Sequence, residues 1–238
     1  MKFKKLFAGV AAAATLLAGM AFGTGAANAA ETTVDTAATV TFKASKEKQL
    51  TSAQLSAYKI ADYVNYGTAK TPVYGVKTAA GANRTKLAAA LTAAGFQNVP
   101  IDGTTDLMAW AMNQKTTTDT DGTVTQVQFD QSETRPWNNP SVTRKFADAL
   151  QAGNPFTATA DPFVLNKATG NDTDGWTATN KTALTAGVYL FLDGNASTDT
   201  LTQAVPMIVS TGSVDAEGVL SLGDSTAEVD MKSTVSRS

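Results

Sequence analysis

Between positions 38 and 45 the apolar residues fall on alternate places: Ala38, Val40, Phe42 and Ala44 interleave with Thr39, Thr41, Lys43 and Ser45. A two-residue period sends the two sets to opposite faces, so this segment predicts a half-buried strand. Leu55 to Val64, containing Ala57-Tyr58-Lys59-Ile60-Ala61-Asp62-Tyr63, predicts a second extended element, and Val73 to Val76 a short third. The period then changes. Arg84 to Ala94 places Leu87 and Leu91 four apart with Gly95 just beyond, the pattern of a helix with a glycine stop. Thr105 to Asn113 predicts another helix, with Leu107, Met108 and Ala111 on one side, Trp110 beside them and Thr104 as the cap. Pro140 to Gln151 predicts a third: Asn139 is the cap, Pro140 takes the first helical position, and Val142, Phe146, Ala149 and Leu150 form its apolar face.

After Gly153 the strand pattern resumes. Phe156 to Leu165, Gly187 to Leu192, Ala204 to Val209, Val214 to Leu222 and Ala227 to Met231 read as strands separated by Gly, Asp, Asn and Ser turns. Short strands at this spacing point to a β-sandwich, with the helices as insertions packed on a sheet. No internal repeat and no long linker divides the chain, so residues 30–238 are expected to form one domain.

The first 29 residues read as a signal peptide: Lys2, Lys4 and Lys5 form a basic start, Leu6 to Gly23 is an apolar Ala/Leu-rich run, and Ala27-Asn28-Ala29 supplies a small-x-small cleavage site. The alternative is a membrane anchor, because the apolar run approaches the length of a spanning helix. The many Ala and Gly residues and the adjacent cleavage site favour removal, after which no membrane segment is expected. Removal leaves 16 basic against 21 acidic residues, a net charge of −5. That balance lacks the basic footprint of a nucleic-acid-binding domain.

An exported chain of this kind meets oxidising surroundings, where disulfides are the common brace, yet it contains no cysteine. It contains no histidine either. Ser-His-Asp triads, Cys-His pairs, zinc sites of the usual ligand types and haem attachment are thereby excluded. Carboxylates, lysines, hydroxyls and amides remain for chemistry. No cofactor and no metal is expected. Asp119-Thr120-Asp121-Gly122 and Asp172-Thr173-Asp174-Gly175 begin like calcium loops but lack the spaced closing Glu, so both read as Asp-Gly turns between strands. After the signal the glutamates are Glu31, Glu47, Glu133, Glu217 and Glu228. A carboxylate-dependent glycoside hydrolase would need two acids facing one another across a cleft, which sequence does not display.

Two tryptophans sit in polar loops: Trp137 within Arg135-Pro136-Trp137-Asn138-Asn139, and Trp176 after an Asp-Gly turn. Each either covers an edge of the core or offers an aromatic surface for a carbohydrate or protein ligand. The lysines matter for another reason. Burial disfavours the ammonium, and a neutral lysine amine beside an Asn or Asp can form an intramolecular amide, a brace that needs no cysteine. Lys59, between Tyr58 and Ile60, and Lys43, on the polar parity of its strand, are the candidate donors, with ordinary solvated lysines as the competing reading.

Ala57-Tyr58-Lys59-Ile60-Ala61-Asp62, Phe146-Ala147-Asp148-Ala149-Leu150, Leu184-Thr185-Ala186-Gly187-Val188-Tyr189-Leu190-Phe191-Leu192 and Pro206-Met207-Ile208-Val209 follow one another in order. In that order the chain, over roughly residues 38 to 232, resembles the N-terminal domain of Gram-positive pilus backbone subunits, the isopeptide-forming, sortase-assembled type. The resemblance implies a mainly β, immunoglobulin-like sandwich with a structural and adhesive role and no enzymatic activity, placed outside the cell or at the cell wall. Its partners would be a pilin-type sortase and other pilin subunits, with a host or matrix ligand possible. In that family a lysine near the end of the domain is joined to the sorting motif of the next subunit. Val229-Asp230-Met231-Lys232 holds that place, which makes Lys232 the candidate linkage residue, although the family's Tyr-Pro and Asn around it are absent. The end, Ser236-Arg237-Ser238, carries no Leu-Pro-x-Thr-Gly-like signal, so the expectation is a truncated pilin or a released single-domain relative.

Overall fold

The computed structural model describes residues 31–130, 140–195 and 203–232. The signal segment, Glu133, Trp137, the Asn139 cap and the C-terminal tail lie outside the described residues. Strands take 41 % and helices 18 % of the described residues, which makes the fold mainly β, with antiparallel sheets and short helices consistent with a β-sandwich.

In chain order the first elements are β1 (Thr32–Thr33), β2 (Ala37–Ala44), α1 (Glu47–Thr51), β3 (Leu55–Asn65) and β4 (Tyr74–Thr78). Then come α2 (Arg84–Ala94), α3 (Leu107–Ala111), the pair β5 (Gln114–Thr118) and β6 (Val124–Phe129), and α4 (Pro140–Ala152). The remainder is β7 (Ala158–Phe163), β8 (Thr169–Asn171), β9 (Gly175–Thr179), β10 (Leu184–Thr185), β11 (Gly187–Asp193) and β12 (Met207–Ser210), then β13 (Ser213–Val214), β14 (Leu220–Ser221) and β15 (Thr226–Asp230). The chain divides into two compact units. Unit 1 takes residues 31–34, Ala61–Pro155 and Ser213–Ser221; unit 2 takes Asp35–Ile60, Phe156–Gly212 and the chain from Leu222 onward. The sequence reads as one domain because the passage from one unit to the other, Ile60 to Ala61, falls inside β3 and leaves no linker to see.

Unit 2 contains two layers of strands. In one, β3 pairs with β7, and β11 lies between β3 and β12. In the other, the order is β10-β2-β9-β8, with β15 added to β2 in parallel. The alternation of β2 emerges as expected: Ala38, Val40, Phe42 and Ala44 are buried and join Leu55, Ala57, Phe163, Tyr189, Phe191, Met207 and Val209 in one apolar core. Phe42 meets Phe191 edge-on at 5.1 Å between ring centres, and Phe163 meets Phe191 at 5.0 Å. Such ring pairs add about 0.5–1.5 kcal/mol beyond the area they bury. Two inward polar side chains of unit 2 are bonded to backbone. Asp193 accepts the N–H groups of Gln54, Asn195 and Ala204, and Asn180 fills the gap where β9 gives way to β10, accepting from Val40 N and donating to Ala38 O and Thr182 O.

Unit 1 packs helices and small hairpins. The second half of β3 pairs with β4 from Ala61↔Thr78 to Asn65↔Tyr74, and with β1 at Thr32 and Thr33. Helix α2 matches its predicted span: Asn83 caps it by accepting from Lys86 N, and Gly95 ends it at φ 109, backbone that glycine tolerates without strain. Helix α3 is shorter than predicted and differently capped. Asp106, not Thr104, accepts from Ala109 N, because Asp102 has already drawn in the N–H groups of Thr104 and Thr105. Asp106 also accepts from the N–H and hydroxyl of Thr78, tying α3 to β4. The strand predicted from Val214 to Leu222 is a hairpin, β13 with β14. Asp215 folds the centre back by accepting from the N–H groups of Glu217 and Val219, and Gly218, at φ 82, lies so close to Phe129 O that a side chain would collide with it.

Candidate functional site

Three of the five residues singled out by sequence meet in unit 2. The ends of β2 and β15, helix α1 and the turn from β8 into β9 enclose an open cleft of about 650 Å³, lined by Lys43, Gln49, Asp174, Trp176, Asp230 and Lys232 among others. Pairing brings them there: β15 runs beside β2 so that Asp230 faces Lys43, while on the other side of β2 Ala44 faces Trp176. Met231 is buried beneath and its N–H donates to Lys43 O at 2.8 Å.

The β8–β9 turn is rigidly built. Asn171 accepts the N–H groups of Thr173 and Asp174 and donates to the Asp174 carboxylate at 2.9 Å. Trp176 Nε1 donates to Asp172 at 2.9 Å, and Lys46 Nζ contacts the other oxygen of that carboxylate at 2.7 Å. Lys46 and the indole together hold the Asp172 carboxyl below the usual carboxylate range. Trp176 is partly buried against the sandwich core and also lines the cleft. The Asp172 and Asp121 carboxylates are engaged within or beside their own turns, and among the described residues no group of three acids is placed to hold a metal ion.

Each lysine has a different setting. Lys43 lies on the solvent side of β2 with its side chain 42 % exposed, and its Nζ contacts Glu228 Oε2 at 2.7 Å. The hydrogen bond to Glu228 raises its pKa, which favours the ammonium and works against the neutral amine that amide formation needs. Lys59 is half-buried elsewhere in unit 2. Its Nζ donates to the Thr185 hydroxyl at 2.7 Å and lies 5.7 Å from the centre of the Tyr189 ring. Neither group can become the acyl partner of an amide. Lys232 is exposed just past β15, and its ammonium makes no ion pair among the described residues; its backbone carbonyl is fixed by Val205 N at 2.9 Å. Trp137 lies outside the described residues.

Sequence reasoning missed Gln49, which reaches from α1 to Met231 O at 3.4 Å, and Asp230, which joins Asp174 on the cleft wall. The acidic Asp230 was visible in the linkage segment, but its neighbour across the cleft depends on a pairing between residues far apart in sequence. Among the described residues no helix is long and apolar enough to cross a membrane. Comparisons with protein-family models, with curated proteins and with solved structures find no match.

Proposed function

We propose that this chain is a structural, non-enzymatic subunit of a cell-surface fimbria, exported and joined to its neighbours through Lys232. The observation that carries the reading is the setting of Lys232. A linkage lysine must be reachable by a second protein, have an amine not already committed to a carboxylate, and sit on backbone that holds its position. Lys232 is exposed, makes no ion pair among the described residues, and follows β15 with its carbonyl bonded to Val205 N. The two-layer core and the resemblance of the chain to pilus backbone subunits support the same reading.

The test is acceptor mapping. The chain from residue 30 onward is incubated with a pilin-type sortase and a peptide bearing a Leu-Pro-x-Thr-Gly signal, and the product is sequenced by tandem mass spectrometry. The expected product carries the peptide on the Lys232 side chain and disappears in Lys232→Arg. Transfer confined to other lysines, or none with several such sortases, overturns the proposal. The intact mass of the same sample reports on an internal Lys59 or Lys43 amide, which would show as loss of one ammonia with Asn or one water with Asp.

A second reading is favoured by the cleft itself. Trp176 with Asp174, Asp230 and Gln49 provides an aromatic surface beside hydrogen-bonding groups, the combination a carbohydrate-binding module uses. Retention on a glycan array that is lost in Trp176→Ala would support it. Release of reducing sugar that is lost in Asp174→Asn or Asp230→Asn would move the reading to a hydrolase.

A further inference from the structure

We infer that the parallel pair of β2 and β15 is a load-bearing clamp, which makes unit 2 resist tension applied along the chain. β2 is the first strand of unit 2 and β15 the last, and they pair in parallel from Thr226↔Thr39 to Asp230↔Lys43. Tension between Asp35 and Lys232 therefore enters at one end of the pair and leaves at the other. The strands can separate along that axis only by sliding, so the cross-strand hydrogen bonds are loaded together. Strands pulled apart from the same end instead lose their bonds one after another.

The local chemistry suits that geometry. At one end of the ladder Thr39 N donates to Ser225 O at 3.0 Å, and at the other Met231 N donates to Lys43 O at 2.8 Å. Between them the ion pair of Lys43 with Glu228 crosses from one strand to the other. Val40 and Phe42 are fully buried, and Ala227 and Val229 pack against the same core, which keeps water from replacing the ladder bonds as they stretch. β2 is also anchored on its other edge, by β10 at Ala37 and Ala38 and by β9 from Thr41 to Ala44, with Asn180 bonded in the gap. The strand that must slide is β15, and Met231, buried in the core at its end, opposes the motion.

Connectivity adds a second consequence. Ala61–Pro155 and Ser213–Ser221 lie between β2 and β15 in sequence. A force borne by the clamp bypasses these stretches, and their length is released only once it breaks. The mechanical statement stands on the strand pairing alone; it rests on the fimbrial reading only for the source of the tension. Failure of sortase transfer to Lys232 would leave the clamp intact, and failure of the clamp would leave the linkage intact.

The absence of cysteine lets two introduced cysteines define any pulling axis. Asp35, Ser45 and Lys232 are all exposed, so replacing them should leave the fold in place. Asp35→Cys with Lys232→Cys loads the pair in shear. Ser45→Cys with Lys232→Cys pulls from the ends of β2 and β15 that lie together, and peels the pair. In single-molecule force spectroscopy at one loading rate, the shear axis is expected to rupture at roughly twofold or more the force of the peeling axis, since forced unfolding follows the unfolding barrier along the pulled coordinate. Equal forces on the two axes would overturn the inference. So would a shear trace in which a segment the size of unit 1 lengthens before the clamp breaks.

Discussion

The two units are assembled on opposite plans. Unit 2 takes its strands from three separated stretches and sets the first of them beside the last, so its core exists only when distant parts of the chain have met. Unit 1 is built mainly from the continuous stretch Ala61–Pro155, and its helices and hairpin form between near neighbours in sequence. The binding forces differ accordingly. In unit 2, Phe42, Phe163 and Phe191 join the two layers through their rings. In unit 1 the apolar packing of Leu87, Leu91, Phe146 and Leu150 is accompanied by polar clasps at the element ends, with Asp106 and Gln114 each reaching across to β4. Distant pairing gives a unit closed by its own ends; local pairing gives one that can be carried as an insertion.

The largest expected effect comes from breaking the ring cluster. Phe42→Ala removes a fully buried ring from the contact with Phe191 and Phe163, and it should lower stability by about 3–5 kcal/mol. Denaturant unfolding followed by hydrogen exchange should show protection lost first in β2, β9, β11 and β15. Equal loss of protection throughout β4, α2 and α3 would mean that the two plans do not correspond to separable stabilities.

Asp106→Ala attacks the other plan. It strands the N–H and hydroxyl of Thr78 and the N–H of Ala109, which Asp106 serves together. Losing an acceptor shared by several part-buried donors should cost about 2–3 kcal/mol, read as loss of exchange protection in β4 and α3 with β2 and β11 unchanged. Asp106→Asn, which keeps one acceptor oxygen, should recover part of the loss.

How far these plans could be read from the chain follows the same division. Alternation exposed β2, and the apolar spacing of Leu87 and Leu91 with Gly95 just beyond exposed α2, because both signals are local. The β8–β9 hairpin was legible only at its turn, Asp172-Thr173-Asp174-Gly175, because Thr169–Asn171 and Gly175–Thr179 are threonine- and glycine-rich strands with few apolar residues to mark a face. The direction of Lys59 was hidden by a physical break in the period, since the register of β3 against β7 shifts between Ala57 and Tyr58. The cleft was legible as parts only. Lys43, Trp176 and Lys232 each drew notice, but their meeting depends on a parallel pair and an antiparallel pair that join residues more than a hundred positions apart, and nothing in local spacing carries that information.

The smallest effect distinguishes the units by pH. Tyr66, in unit 1, accepts at its hydroxyl a hydrogen bond from Gln114 Nε2 at 3.4 Å, and burial, aided by the charge of Glu31, pushes its phenol up to about 12. The folded state then keeps a proton that the unfolded chain releases near pH 10, so the unfolded state binds fewer protons over that interval and stability falls as pH rises through it. The contribution is fully present below about pH 10 and is lost by about pH 12. Exchange protection in β4 and α2 should therefore weaken across that window in the parent chain, and Tyr66→Phe should flatten the pH dependence of unit 1 while leaving that of unit 2 as it was. The local origin matters, because a general alkaline loss of ion pairs such as Lys43 with Glu228 would weaken β2 and β15 over a similar range and would persist in Tyr66→Phe. A pH profile for unit 1 unchanged by Tyr66→Phe would assign the alkaline sensitivity to the lysines and remove this distinction between the two units.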